Sequence, residues 1–127
     1  MEITFVQRLP DFEAKEFKCM CGCGLNNMTP VFLWRLQQCR TEAGVPFVIT
    51  SGSRCKEYNK KVGGHPNSSH LTGEAADILI KNGCARYKIL NAAFAVGFLH
   101  IGVGKNFIHL GHPFYGNQNN ERKVWMY

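Results

Sequence analysis

The sequence predicts an α+β domain in which helices pack on one side of an antiparallel sheet. Two stretches carry apolar side chains at helical spacing, and several short apolar runs lie between turn-forming residues. A chain of 127 residues suits a single domain, residues 1–127, that buries its core without disulfides. With 45% hydrophobic and 19% charged residues, the composition is that of an ordinary globular protein.

The first predicted helix begins at Pro30 and ends at Gly44. Thr29 is a favourable N-cap, proline suits the first helical position, and glycine suits the C-terminal cap. Apolar residues recur at helical spacing between them and are expected in the core: Phe32, Leu33, Leu36, Cys39 and Ala43. A second helix is predicted over residues 84–96, from apolar positions 87, 90, 93, 94 and 96, with Gly97 as its end.

The remaining predicted elements are short. A helix is expected over residues 55–61, before Gly63 and Gly64. Residues 1–18 are interpreted as an irregular arm with a strand at residues 3–6. The predicted strands of the sheet are residues 47–49, 75–80, 98–103, 107–110 and 123–127.

Residues 67–78 carry a histidine and an aspartate seven positions apart, His70 on a loop and Asp77 on a strand. Catalytic zinc takes N and O ligands from more than one segment and keeps one position open. His109, on a later strand, is a third candidate, although a histidine taken alone is more often structural. Asp77 lies among apolar residues, where a carboxylate is costly unless it is paired, for example with Arg54, or bound to metal.

Several motifs together resemble the zinc D-Ala-D-Ala carboxypeptidase family of metallopeptidases, which includes murein endopeptidases and phage endolysins. The central motif is Ser68, His70, Gly73, Ala75 and Asp77, preceded by residues 49–54, Asn59, Gly63 and Gly64. The opening and closing motifs are Glu16, Phe17, Cys19 and residues 21–24, then Gly97, Phe98 and residues 107–109.

The resemblance implies one Zn²⁺ held by His70, Asp77 and His109, and a fold shared with the signalling domain of Hedgehog proteins. It also implies a zinc metallopeptidase that cleaves the stem peptides of bacterial peptidoglycan, as a D-Ala-D-Ala carboxypeptidase or a murein endopeptidase. Arg54 is the expected catalytic and substrate-binding residue, because its planar fork suits a substrate carboxylate. Ser68 would hydrogen-bond substrate. The alternatives are a surface salt bridge for Arg54 and a turn position for Ser68.

The chain departs from the family where the proton carrier is expected. Small members read His-Val-Asp, whereas this chain has Gly111 two residues after His109. His112 is the candidate catalytic proton carrier, because its ordinary pKa is near neutrality. A fourth metal ligand and a loop residue are its alternatives. Glu74 is not favoured, since strand alternation points it away from Asp77.

A lost base would leave a non-enzymatic protein, a zinc-containing wall-binding or virion structural module. This is the second hypothesis for the function. His65 and His100 are interpreted as loop and sheet residues, and the aromatic residues Tyr115, Trp125 and Tyr127 as packing residues.

Six cysteines are present. Cys19, Cys21 and Cys23 alternate, and on an extended chain their thiols would share one face. Structural zinc sites usually use pairs separated by two to four residues. We therefore expect packing, or one disulfide to Cys55 or Cys39, rather than metal binding.

The net charge of +6 suits an anionic partner such as a bacterial wall, while scattered basic residues argue against nucleic-acid binding. No apolar run approaches the length of about 20 residues that spans a membrane. The N-terminus lacks the pattern of a secretory signal. We expect a monomer that is made in the cytoplasm and acts at the cell wall after release or from a virion.

Overall fold

The structure, a computed structural model, describes residues 9–113 and 121–127. It contains helices α1 (Pro30–Ala43), α2 (Lys56–Lys61) and α3 (Gly83–Val96), with single 3₁₀ turns at Ala14–Phe17 and Ser69–Thr72. The strands are β1 (Ile49–Ser51), β2 (Ala75–Leu79), β3 (His100–Val103), β4 (Phe107–Gly111) and β5 (Lys123–Met126). The strand predicted at residues 3–6 and the packing role predicted for Tyr115 lie outside the described residues.

The five strands form one sheet in the order β1-β2-β4-β3-β5. The first four strands in this order pair with one another in antiparallel fashion, but β5 runs parallel to β3, so the prediction of a wholly antiparallel sheet needs this correction. The register explains the direction of β5. Gly111, at the end of β4, lies opposite His100, at the start of β3. Lys123, the first residue of β5, also lies opposite His100. β5 therefore starts at the same end of the sheet as β3 and runs in the same direction.

The helix predictions rest on local chemistry and are confirmed for α1 and α3. Thr29 accepts a hydrogen bond from the backbone N–H of Phe32 at 3.3 Å, and Gly44 ends α1 at a φ of +70°. Asn82 caps α3 in the same way, accepting a hydrogen bond from the backbone N–H of Ala85 at 2.8 Å. The buried residues of α3 are Ile89, Ala92 and Ala93, whereas Tyr87 and Phe94, two of the apolar positions that predicted it, are exposed.

Strand β1 lies two residues later than predicted. Val48 is 48% exposed, and the pairing begins at Ile49, opposite Ile78 of β2. The strand is defined by its partner rather than by its own apolar residues, so it takes in polar residues as far as Ser51. This shift matters for the site, because it places Ser51 opposite Asp77.

The two faces of the sheet differ in chemistry. One face packs against α1 and α3 and forms the core; its sheet residues include Ala76, Ile78, Ile101, Ile108 and Leu110. Because strand residues alternate between faces, the residues between them point the other way. Asp77, His109 and Trp125 share that second face by their register. The fold class is confirmed as α+β, with α1 and α3 on one side of the sheet and the polar residues on the other.

Candidate metal centre

Three side chains from three separate elements converge on the face opposite the core. Asp77 Oδ1 lies 3.2 Å from His70 Nε2 and 3.0 Å from His109 Nδ1. One ligand atom from each residue falls within 4.8 Å of the others. The exposed fractions are 1% for His70 and 8% for both Asp77 and His109. The structure thus brings together the three residues that the sequence predicts as ligands.

The backbone dictates this convergence. Asp77 and His109 lie directly opposite each other on β2 and β4. His70 comes from the 3₁₀ turn Ser69–Thr72, where the sequence predicted a loop, and Gly73 ends that turn at a φ of +73°. A Cβ at Gly73 would collide with the carbonyl oxygen of Asn27. Only glycine combines this φ with so close an approach, so Gly73 holds His70 near β2.

The tautomer of His70 suits a cation. Its Nδ1 lies 2.7 Å from the carbonyl oxygen of Gly52, which can only accept, so Nδ1 carries the proton. Burial lowers the pKa of His70, against the attraction of Asp77. The neutral ring therefore turns the lone pair of Nε2 toward the carboxylate of Asp77. Two facing lone pairs repel each other unless a cation lies between them, and a carbonyl bound to the other ring nitrogen is typical of metal-binding histidines.

Arg54 completes the surroundings of Asp77. Its Nη2 lies 3.2 Å from Asp77 Oδ2, its Nε donates to Ser51 Oγ at 3.0 Å, and its Nη1 donates to Asn59 Oδ1 at 3.1 Å. Burial alone would raise the pKa of Asp77, but the hydrogen bond from His109 holds it well below its usual range. The carboxylate is therefore ionised. The salt bridge considered for Arg54 is present, but it lies in the site, where the Arg54 side chain is only 13% exposed.

The comparison with known families agrees with this arrangement. A family model described as Peptidase M15 matches residues 10–111. This span includes His70, Asp77 and His109, here called the triad. The chain belongs to the peptidase M15 family. This confirms the resemblance predicted from the motifs, and the family is one of zinc-dependent metallopeptidases. No curated protein matches the chain. None of the helices in residues 9–113 or 121–127 is both long and apolar enough to cross a membrane.

An open cleft of about 280 Å³ lies beside the triad of this M15 peptidase. Asp77 and Arg54 contribute to its wall, together with Tyr58 of α2 and Phe107 of β4. Access to the carboxylate therefore comes from the side of β1 and α2. A peptide held in this cleft would lie against the Asp77–Arg54 pair.

Sequence reasoning missed two residues on the face of the sheet that carries Asp77 and His109, here called the metal face. The ring of Trp125 lies 5.4 Å from the ring of His109 and 6.1 Å from the ring of His100. From the sequence, His100 is interpreted as a sheet residue and Trp125 as a packing residue, with no role at the site for either. The register places His100 and Trp125 on the same face as His109. No local sequence pattern predicts the position of Trp125 beside His109, because that position depends on the parallel pairing of β5 with β3.

The proposed proton carrier, His112, lies apart from the M15 triad. Its ring packs edge-on against Phe98, with the centroids 6.0 Å apart. Its backbone N–H donates to the carbonyl of Glu74 at 3.0 Å. Burial, helped by the positive charges of Arg35 and His100, lowers the pKa of His112 to about 4. The residues that influence its charge are thus different from the three that form the triad.

Glu74, Gly111 and Ser68 complete the predicted positions. Glu74 is 1% exposed and accepts a hydrogen bond from Thr72 Oγ1 at 2.7 Å. A Cβ at Gly111 would lie 3.2 Å from His109 Nε2, so a side chain at position 111 would point into the site. Ser68 Oγ accepts from the backbone N–H of His70 at 3.2 Å and so caps the turn that carries this ligand.

Proposed function

We propose that this M15 chain is a zinc peptidase that cleaves the stem peptides of bacterial peptidoglycan, as a D-Ala-D-Ala carboxypeptidase or a murein endopeptidase. One observation supports the proposal above the others, the convergence of His70, Asp77 and His109 within 4.8 Å beside an open cleft. Three protein ligands with one open position are typical of catalytic zinc, whereas structural zinc has four. When bound there, zinc supplies the Lewis acidity that activates water and polarises a peptide carbonyl.

The chain's own residues would hold the metal through His70 Nε2, His109 Nδ1 and Asp77 Oδ1. The carbonyl of Gly52 orients His70, and Arg54 orients Asp77 by holding its second oxygen. These contacts reduce the reorganisation that metal binding requires, because each ligand atom already points toward the common centre.

Arg54 is also the proposed contact for the peptide. It lines the cleft, and a guanidinium fork suits a carboxylate such as the one that ends a D-Ala peptide. Ser68 is proposed to lie along the same peptide, next to His70. The net charge of +6 favours binding to an anionic wall, where we propose that the protein acts.

Two histidines are candidates for moving the proton of the attacking water. His112 follows from the sequence, and His100 follows from its position on the metal face, beside Trp125. Replacing each with glutamine separates them, because only the true carrier should shift the acidic limb of the kcat/KM profile while leaving the zinc content unchanged.

The decisive experiment is digestion of purified peptidoglycan by zinc-loaded protein, with mass spectrometry of the products and a chelator-treated control. We expect release of D-Ala or of defined stem-peptide fragments that stops with the chelator. His70→Ala and Asp77→Asn should lose both activity and the zinc ion held by the triad, whereas His65→Ala, in an exposed loop, should keep both. Full activity and full metal content in His70→Ala would overturn the proposal.

Gly111 favours the second candidate function, a zinc-containing wall-binding or virion module that does not cut. Replacing Gly111 with Asp restores a carboxylate where the family usually carries one. Gly111→Asn is the matched control, since it has the same shape without the charge. A gain in hydrolysis with Asp but not with Asn, at equal zinc content, would support a lost base and therefore the non-cutting module. No gain with either variant would place the base elsewhere and favour the peptidase.

A further inference from the structure

Four cysteine thiols converge at a second place in the molecule. Cys19 Sγ lies 3.5 Å from Cys21 Sγ and 3.8 Å from Cys55 Sγ, and Cys21 Sγ lies 3.6 Å from Cys55 Sγ. Cys23 joins them, so that all four sulfur atoms lie within 4.8 Å of one another. This cluster, here the thiol cluster, shares no residue with the His70, Asp77 and His109 centre.

The sulfur spacing is that of a tetrahedral metal site. With Zn–S distances of about 2.3 Å, the sulfur atoms of a ZnS₄ tetrahedron lie about 3.8 Å apart. A disulfide requires about 2.0 Å. All six cysteines are free thiols in the structure, so the disulfide to Cys55 or Cys39 that the sequence left open beside packing is not formed in it. Cys39 lies in the core, and Cys84 is exposed away from the cluster.

The backbone around the cysteines is turned rather than extended. Gly22 has a φ of +89°, and the N–H of Cys19 donates to the carbonyl of Leu25 at 2.8 Å, which closes the segment into a loop. A positive φ is accessible to glycine at little cost. The turn overcomes the objection to single-residue spacing, because thiols from a curled segment surround a point instead of lining one face.

Backbone donors already point at two of the sulfur atoms. The N–H of Cys55 lies 3.4 Å from Cys19 Sγ, and the N–H of Tyr58 lies 3.4 Å from Cys55 Sγ. Such N–H···S contacts are the outer partners that orient thiolate ligands and offset their negative charge.

We propose that Cys19, Cys21, Cys23 and Cys55 bind a second zinc ion in a closed, tetrahedral tetrathiolate site. Four protein ligands leave no open position, so the ion is structural. It ties the segment before α1 to the loop that carries the peptidase residues, since Cys55 directly follows Arg54. The same two segments are joined by the hydrogen bond from Ser53 N–H to the carbonyl of Phe17 at 2.9 Å.

Metal analysis of the full chain, expressed with added zinc, tests the assignment. We expect two zinc ions per chain in the unaltered protein and in Cys84→Ser, the matched control. Cys23→Ser, which changes an exposed thiol, should retain one ion, as should the double variant His70→Ala/His109→Ala. Cys23→Ser should also melt at a lower temperature, because binding energy at a structural site is folding energy.

Cobalt substitution identifies the ligands independently of activity. Cobalt bound to the thiol cluster should give the thiolate charge-transfer band and the intense visible bands of tetrahedral CoS₄, present in the double histidine variant and lost in Cys23→Ser. The assignment fails if the unaltered protein holds one zinc ion that Cys23→Ser keeps, if alkylation shows a Cys21–Cys55 or Cys19–Cys55 disulfide, or if the cluster holds iron. None of these outcomes depends on whether the triad is catalytic.

Discussion

Arg54 lies 3.2 Å from Oδ2 of Asp77 and leaves the other carboxylate oxygen facing the two histidines. Both side chains are largely buried, at 13% and 12% exposed. Removing one partner of a buried ion pair leaves an uncompensated charge, which costs far more than an exposed pair contributes. We therefore expect Arg54 to influence metal binding at this site through Asp77, in addition to any contact it makes with a peptide.

Arg54→Lys should weaken zinc binding at the triad by about 10- to 100-fold, the usual effect of losing an outer partner of a ligand. A lysine ammonium cannot hold Ser51, Asn59 and Asp77 in one plane. Competition with a chelating dye measures the affinity. Arg40→Lys is the control, because it replaces an arginine of α1 that stacks over the ring of Phe12, away from the triad. Unchanged zinc affinity, with a higher KM only for substrates that end in a carboxylate, would restrict Arg54 to substrate binding.

Gly73→Ala should destabilise the fold by more than about 1–3 kcal/mol, the cost of a strained left-handed residue, because its Cβ also collides with Asn27. The turn that carries His70 should be displaced, with a loss of zinc. Urea denaturation and metal analysis measure the two effects. Gly83→Ala is the matched control, since Gly83 opens α3 with nothing within 4 Å of its added Cβ. Equal stability of the two variants would contradict this account of Gly73.

Trp125→Ala should raise KM by about 2- to 10-fold, the equivalent of one aromatic contact, while zinc content stays unchanged. The reason is the ring of Trp125, which lies 5.4 Å from that of His109 on the metal face. Steady-state kinetics with a stem peptide measures the change, and Trp125→Phe should recover most of it. Trp34→Ala, at a site 53% exposed on α1, should leave KM unaltered. A KM unaffected by Trp125→Ala would return this residue to a packing role.

His112 should make stability depend on pH between about 6.5 and 4. Its pKa falls from 6.5 to about 4 on folding, so the unfolded chain binds the proton first as the pH drops. The stability associated with His112 is therefore present above pH 6.5 and lost progressively toward pH 4. Arg35, His100 and Glu74 are the charged groups that influence it.

Replacing His112 with glutamine should flatten this part of the profile. The comparison uses chemical denaturation of both proteins in the same metal-free buffer, so that the other histidines contribute equally to each. His65→Gln, in an exposed loop, should follow the unaltered protein. Identical slopes for His112→Gln and the unaltered protein would show that His112 has an ordinary pKa.

Features that depend on neighbours in the chain could be predicted from the sequence. Helix α1 begins and ends where Thr29 and Gly44 predict, because capping involves residues only a few positions apart. That His70, Asp77 and His109 lie together could be predicted, because their motif resembles that of a family that the match over residues 10–111 confirms. The boundaries of β1 and the direction of β5 were wrong, because each is set by a partner strand rather than by the strand itself.

The sequence by itself thus determined the family, the α+β class, the two long helices and the residues of the triad. Only the tertiary structure decided that Arg54 holds Asp77, that Trp125 lies beside His109, and that Cys55 joins three cysteines more than 30 positions earlier in the chain. The physical reason is the same in each case. These contacts join segments distant in sequence, and their geometry exists only once the sheet register and the turns at glycine are in place.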